Sequence, residues 1–182
     1  MRRVYQLGLS ALPLLLLAGG CVGAATEGAN IAKDKAVLAS NIDDARAGDA
    51  EAQYKVGDAL CCSVNEGHGF YDTPESVGWL CKAAGQDYAP AAHMLGEIYA
   101  GDVVSGVRVL RRVAQRLAGS STNLPVAYAW LRRAEAGGET EAGETADQLW
   151  TNLSRSQRYE AEAMAEGHQS LPCTWDEVIA SG

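Results

Sequence analysis

Two segments of this sequence recur at fixed offsets, and such internal repetition constrains the fold more than any other feature. AEAQYKVGDAL (50–60) aligns with APAAHMLGEIY (89–99) at an offset of 39 residues, with alanines and a glycine in register. PESVGWLCKA (74–83) aligns with PVAYAWLRRA (125–134) at an offset of 51 residues. A unit of this size buries its apolar face only against neighbouring units, so the repetition predicts an all-α fold of stacked helix hairpins.

Each repeat predicts two helices, which we name helix A and helix B in chain order. Helix B opens with Pro74 or Pro125, and proline suits the first helical turn because its missing N–H has no partner there. Helix A carries Gly57 or Gly96 at the same position. A glycine inside a helix costs about 1 kcal/mol relative to alanine, so we expect a neighbouring helix to approach closely at both glycines.

The spacing between repeats predicts a third helix A. Trp79 precedes Ala91 by 12 residues, and Trp130 precedes Ala142 by the same 12 residues. Residues 139–150 should therefore form this helix, although the pattern departs there from the first two.

The departures lie at Asp147, in the glycine position, and at Trp150, in the tyrosine position. Beyond them, Ser154 and Gln157 have the spacing of a capping box and predict a closing helix. Residues 46–168 are thus predicted to hold about two and a half repeats and a cap.

These motifs resemble the Sel1-like repeat family, which is related to tetratricopeptide repeats. The resemblance lies in AEAQYKVGDAL, VGWLCKAAGQDYAPAAHMLGEIYAGD and AYAWLRRAEAGGETEA, and it covers roughly residues 46–150. It implies an α-solenoid that acts as a protein-interaction scaffold, with no enzymatic activity and no cofactor.

The N-terminus reads as a secretory signal over residues 1–20, with basic Arg2 and Arg3 before an apolar run that is short for a bilayer span. The small residues before Cys21 resemble a lipobox, which implies lipidation of Cys21; ordinary cleavage after Val22-Gly23-Ala24 is the alternative. By the rule for such lipoproteins, Val22 rather than Asp after the cysteine implies an outer-membrane destination, and we expect the protein to face the periplasm, although the sequence does not distinguish this from the cell surface. Residues 21–45 should form a tether, flexible over 22–28, and a leading helix over 29–47 whose Ile31, Leu38 and Ile42 share a face.

The net charge of the chain limits the kinds of partner that it can bind. Without Arg2 and Arg3 the chain carries 13 Lys and Arg against 23 Asp and Glu. An acidic surface repels phosphate backbones, which argues against nucleic-acid binding.

Four cysteines remain beside Cys21: Cys61, Cys62, Cys81 and Cys173. An even number in an oxidising compartment predicts two disulfides, with three possible connectivities. Because a bond between neighbours in a helix is strained, we expect Cys61 and Cys62 each to find a distant partner, Cys81 for one and Cys173 for the other. One bond with two buried thiols is the alternative. A redox site without a CxxC pair, or a zinc site with His68, is disfavoured.

Two segments are unusual for the family. The connection after Tyr99 has an apolar spacing that predicts an inserted helix near 103–118. Its other face carries Arg108, Arg111, Arg112 and Arg116, which form either a solvated face or a docking surface for an acidic partner. The tail over 169–182 should fold back, with Cys173 disulfide-bonded and Trp175 covering an apolar patch.

The remaining candidate surface is the concave face of successive A helices, where Tyr54, His93 and Glu97 are candidate partner-binding residues, beside Lys55, Asp58 and Met94. For His93 a place on this face is preferred to a role as catalytic base. GxSxG, HExxH and SxxK motifs are lacking from the sequence.

The favoured function is therefore a cell-envelope module that binds a protein or peptide. The alternatives are a wall-active or accessory function, with peptidoglycan or β-lactam binding, and a purely structural assembly factor. A deep groove with aromatic and carboxylate pairs would favour the wall-active function, and a shallow face of mixed polarity favours the interaction module.

Overall fold

The computed structural model describes residues 12–62, 69–101 and 122–175, and these contain seven α-helices and no strand. The helices are α1 (Leu12–Ala47), α2 (Ala50–Leu60), α3 (Thr73–Ala84), α4 (Ala89–Ala100), α5 (Leu124–Ala136), α6 (Thr140–Asn152) and α7 (Arg155–Ala165). The all-α prediction is confirmed. The helix predicted near 103–118, with Arg108, Arg111, Arg112 and Arg116, and His68 lie outside the described residues.

Local sequence sets the helix boundaries. Three residues cap helices by accepting a backbone N–H: Asp49 from Ala52 at 2.7 Å, Asp72 from Glu75 at 2.9 Å and Asn123 from Val126 at 3.2 Å. Pro74 and Pro125 lie in the first turns of α3 and α5, as predicted. Ser154 and Gln157 form the predicted capping box of α7. Each cap satisfies N–H groups that a helix start leaves unpaired.

Helices that follow one another in the chain pack together, from α1 on α2 through to α5, which packs on both α6 and α7. Tyr99, Leu80, Leu95 and Leu131 are among the largest side chains that this packing buries completely. A smaller cluster joins α1 to α2, where Leu38 and Ile42 contact the buried side chains of α2. The predicted leading helix is thus the C-terminal part of α1, and two of its predicted apolar residues face the core.

The two repeated glycines make the same contact, as the sequence predicts. A Cβ placed on Gly57 would lie 2.7 Å from Leu80 Cγ and 3.2 Å from a backbone oxygen of α3. A Cβ on Gly96 would lie 2.5 Å from Leu131 Cγ and 3.2 Å from a backbone oxygen of α5. Only a residue without a side chain lets the helix B leucine approach this closely.

In α6 the contact takes a different form, because Gly143 meets the flexible side chain of Glu135 rather than a buried leucine and a backbone oxygen. A Cβ on Gly143 would lie 2.5 Å from Glu135 Oε1, whereas Asp147, in the expected glycine position, is exposed. The Asp147 carboxylate accepts a 2.6 Å hydrogen bond from Arg132 Nη2. The α5–α6 contact is therefore held partly by polar groups, which explains the departure of this helix from the glycine pattern.

The structure differs from the predicted tether over 22–28, because α1 continues through these residues without a break. Ala24 and Ala25 have high helix propensity, and no proline interrupts α1 after Pro13. Among the helices described, none has the length and hydropathy needed to cross a membrane.

The predicted disulfide partners are wrong. Cys61 bonds to Cys62, and Cys81 bonds to Cys173. The objection to a bond between neighbours assumed a helix, but α2 ends at Leu60, Cys61 has extended backbone, and Cys62 has a φ of 96°. Cys81 and Cys173 meet because the tail folds back, as predicted, over α3 and α5.

Candidate functional site

The candidate site lies on the surface formed by the A helices and their N-terminal ends, and it includes Tyr54, His93 and Glu97 of the six residues predicted there. Met94 was predicted on this surface but is buried, at 8% exposure, because its side chain packs into the core. The members of the site, which we call the A-face cluster, are Tyr54, Tyr88, His93, Glu97 and Glu139. The rings of Tyr54 and Tyr88 lie 5.5 Å apart between centroids, tilted by 44°. His93 Nε2 lies 4.0 Å from Glu97 Oε1, and His93 Nδ1 lies 3.9 Å from Glu139 Oε2.

The repeat itself positions these side chains. His93 and Glu97 are four residues apart on α4 and therefore share one face of that helix. Tyr88 and Glu139 are the residues that immediately precede α4 and α6, and neither side chain caps its helix. Both side chains are thus available to the cluster, which draws on α2, α4 and the start of α6.

The cluster combines sheltered rings with accessible carboxylates. The His93 side chain is 17% exposed, whereas those of Glu97 and Glu139 are 45% and 37% exposed. Tyr54 and Tyr88 are half-buried against the core. A partner can therefore reach the carboxylates directly and pack against the edges of the rings.

The electrostatic environment of the cluster is negative. Burial, followed by the nearby Asp58 carboxylate, raises the pKa of Tyr54, and Glu97 and Glu139 raise it further. Burial also raises the pKa of Tyr88. Both phenols therefore stay protonated near neutral pH, where each can donate or accept a hydrogen bond.

The adjacent Lys55 forms an exposed ion pair on α2. Lys55 Nζ lies 2.7 Å from Glu51 Oε1, one helical turn earlier on α2. The same carboxylate raises the pKa of Lys55, so the lysine stays charged and tied to its partner. Lys55 also acts to lower the pKa of Tyr88, although burial and Glu51 outweigh it, so the lysine offsets part of the negative charge around the cluster.

A small open cavity of about 210 Å³ adjoins the cluster and shares Tyr88 with it. Two of its lining residues form an ion pair, in which Arg133 Nη2 lies 2.9 Å from Asp87 Oδ1. Its floor is formed by small residues: Ala84, Ala89, Ala92, Ala136 and Gly137. The A-face cluster thus continues into a shallow cleft of mixed polarity rather than ending at Tyr88.

Sequence reasoning missed Tyr88 and Glu139, although the repeat register contained the signal. Tyr88 precedes Ala91 by three residues, and Glu139 precedes Ala142 by three, so the two positions are equivalent. The first repeat has Asp49 at this position, where the side chain is used as a helix cap. In the second and third repeats the side chain at this position does not cap the helix, so it is available for contacts within the cluster.

Across residues 12–62, 69–101 and 122–175, no group of three or more His, Cys, Asp or Glu side chains is arranged to hold a metal ion. Comparison with known proteins adds no relative: no protein-family model, curated protein or solved structure matches the chain.

Proposed function

We propose that this chain is a lipid-anchored Sel1-like repeat protein of the bacterial cell envelope, and that its A-face cluster binds a peptide segment of a protein partner. The observation that carries the proposal is the convergence of Tyr54, His93 and Glu97 with two further residues from the starts of α4 and α6. A solenoid of about two and a half repeats is supported by the equivalent contacts of Gly57 and Gly96. The N-terminal sequence supports export and lipidation at Cys21.

The chemistry of the cluster favours a partner segment that carries lysine or arginine. Glu97 and Glu139 offer carboxylates for charge-assisted hydrogen bonds. Tyr54 and Tyr88 offer ring surfaces beside these carboxylates, and a cation can also pack on such rings. Because the carboxylates are partly exposed, we expect binding to weaken as salt concentration rises.

The size of the surface indicates a modest affinity. Three A helices contribute to the cluster, and the adjoining cleft is open rather than enclosed. An interface of this kind belongs at the small end of the range for specific complexes, where transient encounters are common. The shallow cleft of mixed polarity favours the interaction module over a wall-active function.

The test is quantitative capture of envelope proteins by the purified full chain and by a variant with Tyr54→Ser and His93→Ser. The matched control is Tyr159→Ser with His168→Ser, because Tyr159 is 75% exposed and the His168 side chain is 71% exposed, both outside the cluster. We expect a defined partner to be lost from the cluster variant and retained by the control. Circular dichroism checks that both variants remain helical.

Two outcomes would contradict the proposal. Equal loss in the cluster variant and its control would show that the A face has no special role. Capture of glycan fragments alone, with no protein that depends on Tyr54 and His93, would favour the wall-active function instead.

A further inference from the structure

The C-terminal segment 171–175 lies against the helices through three different contacts. Trp130 Nε1 donates a 3.1 Å hydrogen bond to the carbonyl oxygen of Pro172. The Trp175 ring stacks on Tyr99, with centroids 6.5 Å apart and planes 18° apart. Between these two contacts, Cys173 is bonded to Cys81 of α3.

The two disulfides of the described chain differ in accessibility. Cys61 and Cys62 are 5% and 3% exposed, so an attacking thiolate cannot readily reach them. Cys81 and Cys173 are both partly exposed at the surface where the tail crosses α3. Because thiol–disulfide exchange depends on access to a sulfur atom, the two bonds should react at different rates.

We propose that the Cys81–Cys173 bond is a thiol–disulfide exchange site for a dithiol reductant, and that its reduction releases segment 171–175 from the helices. A thiolate of the dithiol attacks one sulfur, which forms a mixed disulfide and displaces the other cysteine as a thiolate. The second thiol of the reductant then displaces the first cysteine. The reductant leaves as a disulfide, having given up two electrons and two protons, and the chain's disulfide becomes two thiols.

Release of the segment is feasible because little else holds it. Residues 166–170, between α7 and the segment, are exposed, and the structure gives them turn or irregular conformation. Without the bond, the segment keeps the Trp130–Pro172 hydrogen bond, the 2.9 Å contact between Cys81 Sγ and the Cys173 carbonyl oxygen, and the packing of Leu171 and Trp175. A segment held by so few contacts opens locally at low cost. The helices keep their own contacts with one another, since α4 packs directly on both α3 and α5.

Opening would change the surface of the protein. Tyr99 and Trp130 are 0% and 2% exposed when the segment is in place. Departure of Trp175 and Pro172 uncovers part of both rings, on helices that also carry the A-face cluster or pack against it. The redox state of one bond thus controls whether this aromatic surface is covered.

The experiment treats the oxidised full chain with increasing dithiothreitol. Alkylation followed by peptide mass spectrometry reports which cysteines are reduced. Hydroxyl-radical footprinting of the alkylated, desalted protein measures the solvent exposure of the Tyr99 and Trp130 side chains, which are 0% and 2% exposed with the segment in place. We expect Cys81 and Cys173 to be alkylated at the lower reductant concentration, and labelling of these two side chains to rise by roughly tenfold or more, with helix content unchanged.

Two variants complete the test. Cys61→Ser with Cys62→Ser removes the buried bond and should keep the response to reductant. Cys81→Ser with Cys173→Ser should show the opened segment without reductant and no further change when it is added. Reduction of Cys61–Cys62 first, or Tyr99 and Trp130 side chains that stay unlabelled after Cys81–Cys173 is reduced, would overturn the proposal.

Discussion

The contact at Gly96 allows a prediction whose magnitude follows from the structure. In Gly96→Ala, the new Cβ would lie 2.5 Å from Leu131 Cγ and 2.7 Å from Leu131 Cδ2, well inside the distance at which carbon atoms repel. Leu131 is completely buried and a backbone oxygen closes the third side, so neither neighbour has space to move into. Overpacking of this kind costs about 1–3 kcal/mol, and the lack of space places Gly96→Ala in the upper half of that range.

The gain in helix propensity opposes this cost. Replacing a helical glycine by alanine contributes about 1 kcal/mol, so the net expected loss is about 1–2 kcal/mol in the free energy of unfolding. Gly78 on α3 provides a matched control, because it is exposed and a Cβ there meets no atom within 4 Å. Gly78→Ala should gain up to about 1 kcal/mol, so the two variants should differ by about 1–3 kcal/mol.

The assay is urea unfolding followed by circular dichroism for the full chain and both variants. A Gly96→Ala variant as stable as Gly78→Ala would refute the close-approach reasoning. The double variant Gly96→Ala with Leu131→Ala adds a second check. Because Leu131→Ala removes the clashing atoms, the double variant should be destabilised by less than the sum of the two single changes.

Three further predictions concern the cap, the phenol and the lipid anchor. Ser154→Ala removes half of the capping box of α7 and should lower the free energy of unfolding by about 1 kcal/mol, measured by urea unfolding. The pKa of Tyr54 lies above the ordinary 10.0, so its protonated form contributes stability that is complete below pH 10 and is lost as the pH rises through the folded-state value. Asp58→Asn removes the largest charge effect on this phenol and should lower the pKa of Tyr54 in an NMR titration that resolves its ring; an unchanged pKa would contradict the assigned charges. Intact mass of protein from its own envelope should begin at an acylated Cys21, and an unmodified N-terminus a few residues later would show ordinary signal cleavage.

The sequence could predict the parts of the fold that depend on the repeat register. Gly57 and Gly96 recur at equivalent positions, and only a shared close approach explains two glycines inside two helices. The starts of α3 and α5 followed from Pro74 and Pro125, which fit only the first turn of a helix. The capping box at Ser154 was predictable because it depends on residues three positions apart.

The disulfide pairing and the path of the tail depend on contacts between residues far apart in the sequence, and no local sequence pattern predicts these contacts. The partner of Cys173 is set by the path of the tail over α3, and that path depends on Trp130 and Trp175 finding their contacts. The bond between Cys61 and Cys62 depends on α2 ending at Leu60, which leaves both cysteines outside the helix. Helix propensity does not fix a helix end to a single residue.

The A-face cluster was predictable only in part. Tyr54, His93 and Glu97 could be placed on one surface from helical periodicity. Tyr88 and Glu139 precede helices, where the side chain either caps the helix or turns away from it, and the sequence pattern alone does not decide between these. The structure resolves this choice, since neither residue caps.

The most direct test of partner binding at the A face is site-specific photo-crosslinking in the native envelope. A photoreactive phenylalanine analogue replaces Tyr54 in one strain and Tyr159, which is 75% exposed on α7, in another. The account predicts a discrete crosslinked protein from position 54 that is absent from position 159 and weakens when Glu97 and Glu139 are changed to glutamine. The same adducts from both positions, or none from position 54, would contradict it.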